Sequence, residues 1–446
     1  MPGPWSRSAG SCCAGSGERG GRAPQGCRVA PRRMERPRRG GVAVSTVRKQ
    51  VAKVLQADAC SGCGVCTLLD PGLSMELDGS GYLRPVAAGP PREEPGAARA
   101  FARVCPGRSV TAQRPAGSTR HPLLGSYFGV WEAWAVDPQM RHRGSSGGAL
   151  TAIQSWLLAT GAVAQVSTAA SDPARPTRTV PVRITSKEEA LAAAGSRYAP
   201  VAVGAIATAD PTHALTAKPC EVSAVRALTG GALGGSPVLL SFFCAGTPSQ
   251  RATEQLVREL GGPAPEEVTE LWYRGRGWPG RFTAVFDGGE VSADYDRSWG
   301  AALGPATQWR CKLCADGIGE SADIAAADSW DSDDRGYPVF DEQDGRSALL
   351  ARTERGLAIV LAAQEAGVIE LRELDPERLA RAQPLQTERR RSLAARLWGA
   401  RLGGRGVPRY RGFGLVRLSL ARPRIALRTL RGTLRRIRES PRGGAR

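Results

Sequence analysis

VWEAWAVDPQMRHRGSSGGALTAIQSWLLATGAVAQV (130–166) is the stretch that decides the fold. Val130–Val136 is rich in β-formers and predicts a strand. Ala149–Ala159 sets Leu150, Ile153, Trp156 and Leu157 on one helical face; Gly161 suits the helix stop, and Ala162–Val166 returns as a strand. Strand, loop, helix and strand make the unit of an α/β domain. The alternation continues: Val180–Thr185 reads as a strand, Ser186 as the cap of a helix Lys187–Ala194, and Val201–Ala207, Ala214–Ala217 and Val238–Phe243 as strands. Helices are expected near Glu221–Leu228 and over Ser249–Leu260 and Glu354–Ala366, with a strand at Phe282–Phe286. The expected architecture is α/β with a largely buried sheet. The uncharged run Gly144–Ser171 is long enough to raise a membrane span, but glycines and the polar Gln154, Ser155 and Gln165 break it.

Within the opening stretch, Arg143, Gly144, Ser145, Ser146, Gly147 and Gly148 join strand to helix. Such a loop offers backbone N–H groups at a helix start, where the dipole favours an anion. A flavin or nucleotide pyrophosphate fits, with Arg141 and His142 close by; a tight structural turn is the alternative. The spacing is not G-x-G-x-x-G, so a Rossmann site is not indicated.

Upstream, Cys60, Cys63 and Cys66 stand as C-x-x-C-x-x-C, and Cys105 precedes Pro106. This is the spacing of an iron–sulfur ligand set: three thiolates on one loop and a fourth, followed by Pro, from elsewhere. Small residues between them let amides approach the sulfurs. Zinc, the alternative, usually takes two separated pairs. A second set is Cys220, Cys244, Cys311 and Cys314, at the ends of inferred elements, where α/β folds keep their chemistry. It suits a second 4Fe–4S cluster or a zinc ion, and spacing does not choose between them. A nucleophilic Cys220 has no motif behind it. Cys12, Cys13 and Cys27 lie in a low-complexity N-terminal stretch and receive no role. A long chain with eleven cysteines and no apolar leader at the start of the sequence points to a reducing cytoplasm.

The net charge of +19 would suggest nucleic acid if it covered the fold. It does not. Residues 1–50 carry 11 Lys and Arg against 2 acidic residues, and 389–446 carry 18 Arg against 1 Glu, which leaves 51–388 mildly acidic. The expected organisation is a disordered basic extension (1–44), a cysteine-bearing module (45–115), an α/β domain (116–388) and an Arg-rich amphipathic tail (389–446). No nucleic-acid partner is expected. The tail suits either packing back on the body or peripheral contact with the inner face of a membrane.

Several motifs recur together in one order: Cys60–Cys66, Arg143–Leu150, Lys218–Val222, Phe243–Gly246, Arg274–Gly280, Cys311–Gly317, Ala322–Trp330 and Gly345–Ser347. With them the chain, over residues 48–375, resembles the coenzyme F420 hydrogenase/dehydrogenase beta-subunit family, which includes 7-hydroxymethyl chlorophyll a reductase. The resemblance implies a ferredoxin-like 4Fe–4S module over 45–115 followed by an FAD-binding α/β domain over 116–388, supports 4Fe–4S clusters on both cysteine sets, and makes coenzyme F420 the expected substrate. It places Gly144, Ser145, Ser146, Gly147 and Gly148 beside FAD. Lys218 and Arg143 are the candidates for stabilising reduced, anionic flavin, with Lys218 and Asp328 the candidate catalytic residues, and Asp328 and Trp330 the candidates for shaping the pocket. Cys314-Ala315-Asp316 and Ala217-Lys218-Pro219-Cys220 depart from the commoner Cys-Pro-Asp and Gly-Thr-Pro-Cys. The expected activity is electron transfer between reduced coenzyme F420 and one-electron acceptors. Alternatives are a ferredoxin-dependent reductase of a small organic substrate, a non-catalytic electron-transfer subunit with a redox partner protein, and an iron–sulfur regulator.

Overall fold

The computed structural model describes residues 46–230, 235–329 and 344–439. Eight strands form its main sheet: β1 (Gly129–Ala135), β2 (Gln165–Asp172), β3 (Arg175–Ile184), β4 (His213–Ala217), β5 (Val238–Phe242), β6 (Ile324–Asp328), β7 (Ser347–Ala351) and β8 (Ile369–Glu373). Their order is β8-β1-β7-β6-β5-β4-β2-β3. Strands β2, β4, β5 and β6 run parallel, while β3 joins one side and β7, β1 and β8 the other in antiparallel register. The sheet is therefore mixed. Its middle strands read as near-continuous apolar runs because both faces are covered; every residue of β7 is buried.

Helices α1 (Ala149–Ala159) and α3 (Glu354–Glu365) cover one face, packing Ile153, Leu157 and Val360 on Leu240, Ile324 and Leu349. Between them in sequence, α2 (Pro219–Leu228) covers the other face with Val222 and Val225 on Leu215 and Leu239. Val65 and Val104 of the cysteine-bearing segment join that second core. Burial of each contributes about 1.5–3 kcal/mol, so this segment is continuous with the body. Ser186 caps its helix as expected, accepting from Glu189 N at 3.2 Å, and Ser249 caps another by accepting from Arg251 N at 3.1 Å.

The segment Val201–Ala207 differs from expectation. It forms a 3-10 turn over Val203–Ile206, not a strand. Val203 N donates to Glu221 Oε1 at 2.9 Å, which diverts the backbone from any ladder. The turn thereby supports the loop carrying Cys63.

The Arg-rich end also differs. Helix α4 (Pro384–Leu402) runs through the expected boundary at 389, followed by α5 (Leu415–Leu420) and α6 (Pro423–Glu439). Leu393 and Leu397, one helical turn apart, pack on Leu313, Ala315 and Phe413. Arg409–Arg411 extends Ser109–Thr111 as a parallel strand. Packing back on the body is what this segment does. No helix of the described residues is long and apolar enough to cross a membrane. The expected extension 1–44, with Cys12, Cys13 and Cys27, lies outside the described residues.

Candidate functional site

The first cysteine set is built locally. Cys60, Cys63, Cys66 and Cys105 line one cavity whose remaining wall is mostly apolar, including Val51, Leu55, Met75 and Phe101. The loop turns tightly because Gly64 has φ +80°; a Cβ there would lie 2.8 Å from Ala205. Gly62 N points at Cys60 Sγ at 3.4 Å, the amide-to-sulfur contact that small spacers permit. All eight described cysteines are free thiols. Burial, and then the neighbouring Cys60, pushes the Cys63 thiol up to about 11, and burial raises Cys60, Cys66 and Cys105 as well. Bare thiolates are costly here; a bound metal group would supply the compensating positive charge. A zinc ion gathers four ligands about one point, whereas a four-iron cluster takes one thiolate at each of four corners. These thiols line one cavity from a single loop and a separate segment, as four corners require. The donor set fits a cluster.

The second set is assembled by topology. Cys220 opens α2 just past β4, and Cys244 lies two residues past β5. Cys311 lies on the short helix Trp309–Lys312 and Cys314 just after it. Cys244 N donates to Gly317 O at 2.8 Å, and Thr247 N points at Cys311 Sγ at 3.3 Å. Burial and then Cys311 push the Cys244 thiol up to about 12, and Cys314 adds to this. Cys220, raised by burial and by Glu221, feels both Cys63 and Cys244. It stands between the two sets.

So does Arg310, which the sequence reading missed. Its side chain is buried, and Nη2 donates to the carbonyl of Pro106, next to Cys105, at 2.8 Å. Its charge acts on Cys60 and Cys105 on one side, and on the other it feels Cys314, Cys220 and Cys311. The available signal was its position beside Cys311. Lys218 belongs here too: Nζ donates to Val201 O at 2.5 Å and to Glu221 Oε1 at 3.1 Å. Burial presses its pKa down, but Glu221 and Cys220 outweigh that and leave it raised. It lies at the second cysteine set and does not line the cleft at the glycine loop. From α4, Arg389 donates to the carbonyls of Ala245 and Cys244, both at 2.9 Å.

That cleft, of about 420 Å³, is lined by Trp134, Arg141, His142, Ser146, Trp278 and Gly345, among others. Gly148 starts α1 with φ +69°, and a Cβ there would lie 2.5 Å from Met140 O. Ser347, at the start of β7, accepts from Gly147 N at 3.0 Å and pairs with Ser146 Oγ at 2.8 Å. One amide of the loop is thus already satisfied within the protein. Arg274 locks the assembly: Nη1 bonds Asp328 Oδ2 at 2.7 Å and Nη2 the Ser145 carbonyl at 2.6 Å, while its plane lies 5.1 Å from the Trp278 ring. Arg143 is close enough to Arg276 to add to the burial that lowers its pKa. Trp330 lies outside the described residues. Two indole faces suit a flat ring system; Arg141 and His142 stand beside them for an anionic group, with Asp344, paired to Arg141 at 3.4 Å, and Glu370 also on the rim, and the indoles fit a flavin ring.

Cleft and cysteines share one edge of the sheet. The glycine loop leaves β1, Asp328 ends β6, Cys244 follows β5 and Cys220 follows β4. At the usual strand spacing, β1 and β5 are separated by roughly 15 Å. Phe243 N bonds Ala326 O at 2.8 Å, which keeps the Cys244 segment beside the Asp328 strand.

Comparisons with known proteins identify the family. Residues 130–207 match the N-terminal part, and 211–377 the C-terminal part, of the coenzyme F420 hydrogenase/dehydrogenase beta subunit. The chain is 27% identical over 264 residues to coenzyme F420 hydrogenase subunit beta of Methanococcus voltae, covering 56% of this chain and 86% of that one. It is 26% identical over 257 residues to F420-dependent formate dehydrogenase 1 subunit beta of Methanococcus maripaludis, covering 55% of this chain and 62% of that relative. A chain of the F420-reducing NiFe hydrogenase complex from Methanosarcina barkeri aligns with TM-score 0.47 and 21% identity, over 61% of this chain and 91% of that one. The protein whose cysteines and glycine loop converge on this sheet edge belongs to the coenzyme F420 hydrogenase/dehydrogenase beta-subunit family.

Proposed function

We propose that the protein moves electrons between reduced coenzyme F420 and one-electron acceptors, with FAD in the cleft and a 4Fe–4S cluster on each cysteine set. The observation that carries this is the meeting of two four-thiol sets at Cys220 and Arg310, on the sheet edge that also forms the cleft. The names of the relatives, an F420 hydrogenase subunit and an F420-dependent formate dehydrogenase subunit, support the substrate. When bound, FAD would supply the exchange between electron pairs and single electrons.

The chain's own residues do the rest. Arg141 and His142, with Arg143 next in sequence, would hold the ligand's anionic group, and Ser347 orients Ser146 and Gly147 at the cleft. Arg274 fixes Asp328 and the loop in one position, so the cleft is formed before ligand arrives. Lys218, Arg310 and Arg389 set positive charge around the second cysteine set, which favours its more electron-rich state. The apolar wall around the first set excludes water. The test is anaerobic mixing with reduced coenzyme F420: the protein's visible absorption should bleach, and an added viologen should then be reduced. No spectral change on mixing with protein that holds flavin and iron would contradict the proposal.

A further inference from the structure

Lys312, between Cys311 and Cys314, is exposed while Leu313 beneath it is buried. Arg396 of α4 donates from Nη1 to the Lys312 carbonyl at 2.8 Å. Arg436 of α6 completes the group: besides desolvation, Arg396 and Arg436 press on the Lys312 ammonium, and Arg389 and Arg436 on Arg396. Among the described residues no carboxylate pairs with any of these three. The outer arc of α6 continues the charge through Arg424, Arg428, Arg431, Arg435 and Arg438, with Glu439 as the helix's one carboxylate. Gathered like charges repel, and they raise the local concentration of anything acidic.

We infer that this basic surface over the Cys311–Cys314 loop is the docking site of an acidic one-electron carrier protein. The inference rests on reading the second cysteine set as a cluster site. The positive surface includes Lys312, the exposed residue between Cys311 and Cys314, so a carrier held there lies directly over that pair. An anionic membrane fits this spot less well. The exposed indole of Trp398, the group on α4 best suited to a membrane interface, is two residues on from Arg396, about 200° round the helix, and so turns away from the patch. One electron crosses per encounter: carrier and bound cluster change oxidation state by one in opposite senses, and no bond forms.

The test uses the full chain and an acidic plant-type ferredoxin. Its Kd is measured by calorimetry with the oxidised carrier across a salt series, alongside iron content and thermal midpoint. Lys312→Glu/Arg436→Glu, both at exposed positions, should weaken binding at least about tenfold at low salt and flatten the salt dependence. The charge-keeping pair Lys312→Arg/Arg436→Lys should bind within about twofold of the parent. Unchanged binding by the folded reversal variant overturns the inference, as does a preference of the parent for phosphatidylglycerol vesicles or duplex DNA over ferredoxin. Binding is read without turnover, so a parent lacking iron or flavin would count against the proposed function and leave the docking result separate.

Discussion

The two cysteine sets solve one problem in opposite ways. The first takes three ligands from a seven-residue loop and shuts them in an apolar cavity. The second draws single residues from the ends of β4 and β5 and a pair from a later helix, then adds Lys218 and Arg389 of its own to Arg310, which both sets share. Local sequence is enough for the first; only the parallel sheet brings the second together. The difference also predicts unequal electron affinity, because nearby cations favour the reduced state of a cluster and an apolar wall does not.

The sharpest break in this comparison is ligand removal. Cys105→Ala and Cys244→Ala should each lose about four of about eight irons while keeping the other cluster; iron analysis and low-temperature EPR read this directly. Loss of both clusters in either variant would mean the sets are one unit. Next, Arg274→Met removes the bonds to Asp328 and the Ser145 carbonyl, along with those to Pro279 and Tyr198; a loss of about 2 kcal/mol in the set of the cleft should weaken flavin binding roughly 30-fold with iron unchanged. A flavin titration of the deflavinated protein tests it. Arg310→Met should then lower the reduction potentials of both clusters by on the order of 60 mV, a tenfold change for a one-electron couple, while Lys218→Met lowers only the second. Potentiometry followed by EPR separates the two outcomes.

The smallest effect concerns the frame of the first set. Buried Asp70 accepts from Arg48 Nε at 2.7 Å and from Gly72 N and Arg92 N at 2.9 Å. Burial raises its pKa, but the bonds from Arg48, Arg92 and Gly72 outweigh it and leave the carboxyl below its usual value. Its stabilising contribution is therefore complete above the unfolded carboxylate pKa, near 4, and is lost as pH falls through the lower folded value. Asp70→Asn should cost about 1 kcal/mol at neutral pH, and the gap between variant and parent in denaturant unfolding should close below about pH 4.

Much of this was legible in the chain. The strand at Val130, the helix Ala149–Ala159 and the strand Phe282–Phe286 follow from periodicity and flanking glycines, and both cysteine sets from spacing and position. What the sequence could not convey is which partner a polar group finds. Val201–Ala207 has a strand's composition, yet Glu221, distant in sequence, takes its amide. Lys218 is a candidate for the flavin in sequence, yet the Val201 carbonyl, with the nearby Glu221, holds it at the second cysteine set. The Arg-rich end allows either a peripheral tail or packing on the body, and Leu393 and Leu397 meeting Leu313 decide for the second. Each outcome depends on a long-range contact that no local pattern encodes.

The account stands on both sets holding clusters beside one flavin. An iron, sulfide and flavin count on anaerobically prepared protein tests this most directly. About eight irons, eight sulfides and one FAD per chain are predicted; zinc in place of iron on either set, or the absence of flavin, would contradict it.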